Sequence, residues 1–175
     1  DGPPLAEGQH PGLEATDYYS PPCATWAYGV HGAIVEVDPE LCQVKARKYV
    51  CIHDCGNMIN PMIVEGQVMG GIAQGFGGAL YERIEYDTDG NPMNANFVDF
   101  LVPYATEVPN IEIIHLETPS PLNPLGVKGV GEAGCIAVGP VIASGIEDAL
   151  QPLKAGKFHH VPITPSMIFA AVTGT

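Results

Sequence analysis

The chain has 175 residues, of which 46% are hydrophobic, so it is long enough to form one domain with a substantial core. Its 20 Asp and Glu outnumber its 7 Lys and Arg and give a formal net charge of -13. This acidity argues against nucleic acid and anionic membrane surfaces as partners, because both are bound through basic patches. No run of about 18 apolar residues occurs, so we expect no transmembrane helix.

The five cysteines form an odd number without a paired spacing, which indicates a reducing compartment and, we expect, the cytoplasm. The sequence opens without Met and without a signal peptide, as expected of a fragment or a processed subunit. Residues 1–24 are rich in Gly, Pro and acidic residues, and they predict an extended arm that lies across a partner. Residues 25–175 predict the folded portion.

A β-hairpin is predicted next in the chain. Apolar residues partly alternate from Ala24 to Val37, the sequence Asp38-Pro39-Glu40 is typical of a turn, and a second strand runs from Val44 to Ile52.

The end of this second strand carries Cys51, His53 and Cys55 at alternating positions, where they could face one metal ion. Structural zinc sites usually have a second ligand pair elsewhere, and none occurs in this sequence. Free cysteine is also among the residues most often buried. We therefore favour a structural role for these side chains and predict no metal site built from protein ligands.

A glycine-rich helix is predicted from Pro61 to about Arg83, with Asn60 as its N-cap and proline at its first position. Its apolar residues share one broad arc: Val68, Met69, Ile72, Phe76, Ala79 and Leu80. The other side carries Gly66, Gly70, Gly71, Gly77 and Gly78, with Gln67 and Gln74 between them. Glycines in a helix interior cost about 1 kcal/mol each relative to alanine. We expect two features to offset that cost together. One is close packing of the helix against another backbone, and the other is a flat ligand or a second chain that lies on the bare face.

The remaining elements complete an α+β fold with a mixed sheet, hairpins and C-terminal helices. They are listed in chain order: a turn at Asp87–Pro92, an irregular stretch at Asn94–Ala105, a strand at Ile111–Thr118, a helix at Ile136–Leu150, a solvated loop with His159 and His160, and a last helix from Thr164-Pro165. The turn lacks the twelfth-position glutamate of a calcium loop, so we reject calcium there.

The stretch from Gly126 to Gly134 contains four glycines around Glu132, and Gly129-x-Gly131-x-x-Gly134 matches the dinucleotide-binding fingerprint. Three observations contradict that function. Prolines interrupt the approach to the loop where a strand is required, no acidic residue follows Ala149, and Glu132 would repel a pyrophosphate.

Two interpretations of Glu132 remain open from the residues alone. Either Glu132 caps the first turn of the following helix, or it is a general base. As a base, its carboxyl group would have a pKa that the helix N-terminus lowers and burial raises.

The segments His53–Pro61, Glu65–Gly77 and Gly129–Gly134 carry a specific resemblance in their order and spacing. Together they resemble the C-terminal part of the molybdopterin-binding subunit of the xanthine dehydrogenase/aldehyde oxidase family of molybdenum hydroxylases. The likeness extends from about Trp26 to Phe169.

The resemblance implies an enzyme that hydroxylates an aldehyde or N-heterocyclic carbon with water as the oxygen source. The glutamate of the family's GVGE motif falls on Glu132, which then acts as general base on the molybdenum-bound oxygen. The glutamine of the helical GQ motif falls on Gln67, beside the cofactor. Gly71 shares the stripe of Gln67, and Gly129, Val130 and Gly131 belong to the loop whose amides are expected to face the cofactor.

The implied cofactor is molybdopterin with molybdenum, as the cytosine dinucleotide or the plain form, in which the cofactor's own sulfurs hold the metal. Expected partners are other segments of the molybdopterin subunit, an iron–sulfur subunit with [2Fe-2S] clusters, an FAD subunit and a small-molecule substrate. The family subunit is several times longer than this chain. The alternative is a non-catalytic structural subunit that buttresses a catalytic molybdopterin chain.

Overall fold

The computed structural model describes residues 5, 8 and 12–174. Within these residues the elements are β1 (Tyr28–Asp38), β2 (Gln43–Asp54), α1 (Pro61–Leu80), β3 (Ile111–Leu116), α2 (Val138–Leu150), a short 3₁₀ helix (Gln151–Leu153) and α3 (Pro165–Thr173). The predicted α+β class is confirmed. Across that part of the chain, none of the helices combines the length and hydropathy needed to cross a bilayer.

The predicted arm over residues 1–24 lies partly outside the described residues. From Gly12 to Ala24 the described part contains neither helix nor strand and is largely exposed. Its contact with a partner stays a prediction.

The predicted hairpin is confirmed, since β1 and β2 pair in antiparallel register with Gly29 opposite His53. The register shifts between Ile34 and Val35, so that Arg47 is an extra residue on β2. The strand β3 then joins β2 in parallel, which gives a mixed three-stranded sheet in the order β1-β2-β3.

One face of the sheet forms the core under the helices. The helix α2 packs on β1, where a Cβ added at Gly145 would lie 2.5 Å from Val35. The helix α1 packs on α2, and the ring of Phe76 meets the edge of Tyr49 at a centroid distance of 5.5 Å. The opposite face of β1 stays exposed, with Val30 and Ile34 among its outward side chains.

The helix α1 begins as predicted, with the Asn60 side chain accepting a hydrogen bond from the Ile63 amide. It ends at Leu80 rather than near Arg83. The prediction of Met69 on the apolar arc is wrong, because 46% of that residue is exposed. The expected close packing occurs, since Gly71, Gly75 and Gly77 lie against neighbouring atoms. A Cβ at Gly66, Gly70 or Gly78 would meet no atom within 4 Å, so this side of α1 is open, and a ligand or second chain on it stays a prediction.

The loop around Glu132, here residues 126–137, lies across one end of the sheet and touches α1. A Cβ at Gly71 would lie 3.0 Å from the Cα of Gly134, and a Cβ at Gly134 would overlap the carbonyl oxygen of Val68. Backbone therefore rests directly on backbone at this contact. We call residues 126–137 the Glu132 loop.

A buried ion pair fixes the start of the Glu132 loop. The Asp54 carboxylate at the end of β2 is fully buried and accepts hydrogen bonds from Lys128 Nζ at 3.0 Å, the Gly56 amide at 2.8 Å and the Tyr28 hydroxyl at 3.0 Å. Burial would raise the pKa of Asp54, but hydrogen bonds from Thr118, Gly56 and Lys128 outweigh it and hold that pKa well below the usual range. The Lys128 ammonium also lies over the Tyr28 ring, 4.9 Å from its centroid.

Replacing Asp54 with Asn should lower the free energy of unfolding by about 3–5 kcal/mol at pH 7, because the buried Lys128 ammonium loses its counter-charge. Since the folded-state pKa of Asp54 is depressed, the ionised carboxylate stabilises the fold fully above the unfolded-state pKa. The difference between the wild type and the variant should therefore shrink below about pH 4, as the pH falls towards the folded-state value. Urea denaturation at a series of pH values measures both effects.

The matched control for that experiment is Glu36→Gln, which removes the exposed Glu36–Arg47 ion pair on the same hairpin. Its effect should be barely measurable, because solvent screens this pair. Equal losses for the two variants would contradict the importance assigned to Asp54.

Replacing Gly134 with Ala should destabilise the fold by roughly 1–3 kcal/mol, because the added methyl group has to displace the α1 backbone. Gly70→Ala is the matched control on the open side of α1, and it should be neutral or stabilising by up to about 1 kcal/mol. The midpoint of thermal unfolding, compared for the two variants, reports the difference. A Gly134→Ala protein as stable as wild type would refute the backbone contact.

Candidate functional site

Glu132 lies in a run of turns at residues 131–137, ahead of α2. Its carbonyl oxygen accepts hydrogen bonds from the amides of Cys135 at 2.9 Å and Ile136 at 3.3 Å. The helix α2 starts at Val138 rather than at the predicted Ile136, and its N-cap residue Ala137 makes no side-chain hydrogen bond. Glu132 therefore does not cap the first turn of α2.

The Glu132 carboxylate is exposed and, within residues 12–174, takes part in no hydrogen bond or ion pair. It lines an open cavity of about 490 Å³. The cavity walls are Trp26, Ala27, Tyr28, Gly29, His31, Gly129, Val130, Gly131, Glu132, Ala133 and Ile136. The fold thus brings four of the six predicted site residues, Glu132 and its three neighbours from Gly129 to Gly131, to one cavity.

The other two predicted residues, Gln67 and Gly71, lie on α1 outside that cavity. Gly71 is buried under Gly134, so it seats the loop. Gln67 is exposed and directly precedes Val68, whose carbonyl oxygen meets Gly134. The α1 turn that carries Gln67 is therefore adjacent to the Glu132 loop.

Open glycine backbone lies both in the Glu132 loop and on the α1 turn that carries Gln67. A Cβ at Gly66, Gly70, Gly129 or Gly131 would meet no atom within 4 Å. Among the described residues, the backbone of Gly129, Val130 and Gly131 makes no hydrogen bond. These amides are free to donate to a ligand.

Sequence reasoning missed His31, which lines the same cavity from β1. Its Nδ1 lies 2.8 Å from the Tyr49 hydroxyl and its Nε2 lies 3.2 Å from the Cys51 sulfur. Burial lowers the pKa of His31. Burial also raises the pKa of the Cys51 thiol to about 11, so Cys51 stays protonated. The signal that could have found this cluster is the alternation along β1, because it places His31 on the same face as Cys51.

The alternating Cys51, His53 and Cys55 are buried, as their structural interpretation requires. His53 lies opposite His115 in the register, with ring centroids 6.4 Å apart, and its ring nitrogens have no hydrogen-bond partner in the structure. In the part of the chain that the structure describes, no three His, Cys, Asp or Glu side chains are grouped to hold a metal ion.

The dinucleotide-binding interpretation also lacks its structural context. The strand β3 ends at Leu116, and residues 117–128 contain only the isolated bridge of Val127 to Gly56 before the glycines. The loop therefore does not follow a strand in the way the fingerprint requires.

Comparison with known proteins places this geometry in a family. Residues 5–109 match the model of the molybdopterin cofactor-binding domain. The chain is 42% identical over 146 residues to the carbon monoxide dehydrogenase large chain of Afipia carboxidovorans, and 40% identical over 167 residues to the nicotine 6-hydroxylase large subunit of Paenarthrobacter nicotinovorans. These alignments cover 83% and 95% of this chain, but only 18% and 20% of the two relatives.

The solved structure of quinoline 2-oxidoreductase from Pseudomonas putida 86 matches with a TM-score of 0.80 at 44% identity, over 84% of this chain and 19% of that chain. More distant matches include a putative xanthine dehydrogenase molybdenum-binding subunit of Escherichia coli and the aldehyde oxidoreductase of Desulfovibrio gigas. The chain therefore belongs to the molybdopterin cofactor-binding domain family, and its resemblance to the C-terminal part of the molybdopterin-binding subunit of the xanthine dehydrogenase/aldehyde oxidase family is confirmed.

Proposed function

We propose that this chain is part of a molybdenum hydroxylase that hydroxylates an aldehyde or N-heterocyclic carbon with water, and that Glu132 is its general base. One observation carries the proposal. The backbone is anchored on both sides of Glu132, at Lys128 and at Gly134, while the carboxylate itself is engaged by none of the described residues. A structural glutamate would use its charge within the fold, whereas a general base has to keep its oxygens free for the reacting proton.

The residues present fit a molybdopterin. A pterin is flat and has a hydrogen-bonding edge, and the open glycines Gly66 and Gly70 leave room for such a ring beside the amide of Gln67. The unpaired amides from Gly129 to Gly131 suit an anionic or carbonyl-bearing part of the ligand. Gly71 contributes by seating the loop against α1. When bound, the cofactor supplies a molybdenum centre that accepts two electrons from the substrate carbon.

The role of Glu132 follows from the chemistry of a carboxylate. An ionised carboxylate only accepts hydrogen bonds, so Glu132 is suited to hold a water molecule by its proton and to take that proton as the oxygen attacks carbon. The hydrogen bonds at its own carbonyl oxygen restrict the backbone from which the side chain extends. Such restriction keeps the carboxylate aimed at one place in the cavity.

The proposal requires partners, because the chain spans about a fifth of the relatives' length. Large apolar side chains such as Trp26, Phe97 and Val98 are more than four-fifths exposed, as expected of surfaces that other segments cover. We propose the rest of the molybdopterin subunit, an iron–sulfur subunit with [2Fe-2S] clusters and an FAD subunit as those partners. The cytosine dinucleotide form of the cofactor is part of the same proposal. The five free cysteines support a reducing, cytoplasmic compartment.

In the assembled enzyme, Glu132→Gln should lower kcat by about 10²–10⁴-fold, because the amide cannot accept the proton, while the molybdenum content stays unchanged. Substrate-dependent dye reduction and metal analysis measure the two quantities. Glu40→Gln, in the turn at the far end of the hairpin, is the matched control and should behave as wild type. Unchanged turnover in Glu132→Gln would instead support the non-catalytic structural subunit.

Replacing Gln67 with Ala should reduce the molybdenum and pterin retained after gel filtration by several-fold, because an amide that faces the ligand is lost. Gln43→Ala, exposed at the other end of the sheet, serves as the control. Full cofactor retention by the Gln67 variant would remove Gln67 from the proposed site.

A further inference from the structure

Two imidazoles face each other on the buried side of the sheet. His53 on β2 lies opposite His115 on β3 in the register, and their ring centroids are 6.4 Å apart. His53 is almost completely buried, and none of the four ring nitrogens has a hydrogen-bond partner in the structure. Buried side-chain nitrogens nearly always have a partner, and leaving one without it is costly. This pair of rings therefore needs an explanation beyond packing.

The first half of α1 places a carboxylate beside the pair. An oxygen of Glu65 lies 3.8 Å from Nε2 of His115. That distance is too long for a hydrogen bond, but it suits an ion pair once the imidazole is protonated. The Glu65 side chain is 56% exposed and the His115 side chain only 14%. A proton that reaches His115 from the solvent side therefore meets a counter-charge there.

The surroundings of His53 do not favour a charge on its ring. The other titratable groups near the pair are His31 on β1, and Cys51, Asp54 and Cys55 on β2. The thiols stay uncharged because burial raises their pKa, and the Asp54 carboxylate is already paired with Lys128. Burial and the neighbouring His115 lower the pKa of His53, and they outweigh the opposite effect of Asp54. The pair is therefore suited to take up one proton rather than two.

We propose that His115 and Glu65 form a proton-operated latch between β3 and the first half of α1, with a neutral His53 behind it. A proton on His115 turns its Nε2 into a charged donor, which draws Glu65 into a direct hydrogen bond and satisfies a nitrogen that is otherwise unpaired. Glu65 lies two residues before Gln67, so the latch holds the α1 turn that carries Gln67. The latch is independent of Glu132, and its link to the cofactor rests on the function proposed for Gln67.

The experiment measures hydrogen exchange of the amides of residues 64–68 in the full-length protein assembled with its partner chains. It compares Glu65→Gln with wild type at about pH 5.5 and about pH 7.5, the range over which histidines gain their charge. At the lower pH the variant should exchange about two- to fivefold faster, because it offers the protonated imidazole no counter-charge. At the higher pH the two proteins should exchange at the same rate.

The comparison is made at equal pH because His53 also responds to acid. Its folded-state pKa is lowered, so the neutral ring favours the fold above the unfolded-state value of about 6.5, and this contribution is lost as the pH falls. That loss affects wild type and Glu65→Gln alike. The difference between the two proteins at one pH therefore isolates the latch.

Two further variants serve as controls. Glu112→Gln removes a different carboxylate of β3, which pairs with Lys48 at 2.8 Å, and it should exchange as wild type at both pH values. His115→Phe keeps a ring at this position but cannot bind the proton, so adding Glu65→Gln to it should have no effect at either pH.

Three results would overturn the latch: wild-type exchange in Glu65→Gln at the lower pH, equal acceleration at both pH values, or acceleration that persists in the His115→Phe background. If His115→Phe does not fold, Glu65→Gln decides alone, because its exposed side chain can be replaced without disturbing the core.

Cofactor retention separates the latch from the function proposed for Gln67. If that function holds, Glu65→Gln should lose molybdenum about two- to fivefold faster than wild type at the lower pH only. If Gln67→Ala keeps its cofactor while Glu65→Gln still exchanges faster at the lower pH, the role of Gln67 fails and the latch is supported. If Gln67→Ala loses cofactor while Glu65→Gln exchanges as wild type there, the role of Gln67 is supported and the latch is refuted.

Discussion

The contact of backbone on backbone between α1 and the Glu132 loop is the constraint on which the rest of the site depends. Any side chain at Gly134 would overlap the carbonyl oxygen of Val68, and any side chain at Gly71 would press on Gly134. Glycine at both positions lets the loop lie directly on the helix. The conformational cost of glycine in α1 is thereby offset by packing, and the same contact places Glu132 next to the turn that carries Gln67.

Anchors of different chemistry hold the two sides of Glu132. Ahead of it, the buried pair of Asp54 and Lys128 ties the loop to the end of β2. Behind it, Gly134 packs on α1. A buried ion pair tolerates almost no displacement, because moving either charge away leaves the other uncompensated in a low dielectric. The loop is therefore fixed by its surroundings although it contains no regular secondary structure, and none of the described residues engages the carboxylate of the glutamate at its centre.

Local signals in the sequence were sufficient to predict the hairpin and the starts of α1 and α3. The turn at Asp38-Pro39-Glu40 and the N-caps at Asn60 and Thr164 each lie within a few residues of the structure they specify. The motif around Glu132 and the GQ motif of α1 identified the family, which the match to the molybdopterin cofactor-binding domain confirms. The exposure of Met69 and the start of α2 at Val138 were predicted wrongly, because tertiary packing decides them. The ion pair of Asp54 with Lys128 and the contact of Gly134 with α1 depend on how distant segments meet, and no local pattern encodes them.

The most direct test of this account is a crystal structure of the assembled, cofactor-loaded enzyme. On this account, the backbone from Lys128 to Cys135 keeps its contacts with Asp54 and α1, and the Glu132 carboxylate faces the molybdenum centre across a water molecule. A Glu132 side chain turned away from the metal, or engaged in a salt bridge with another segment, would contradict it.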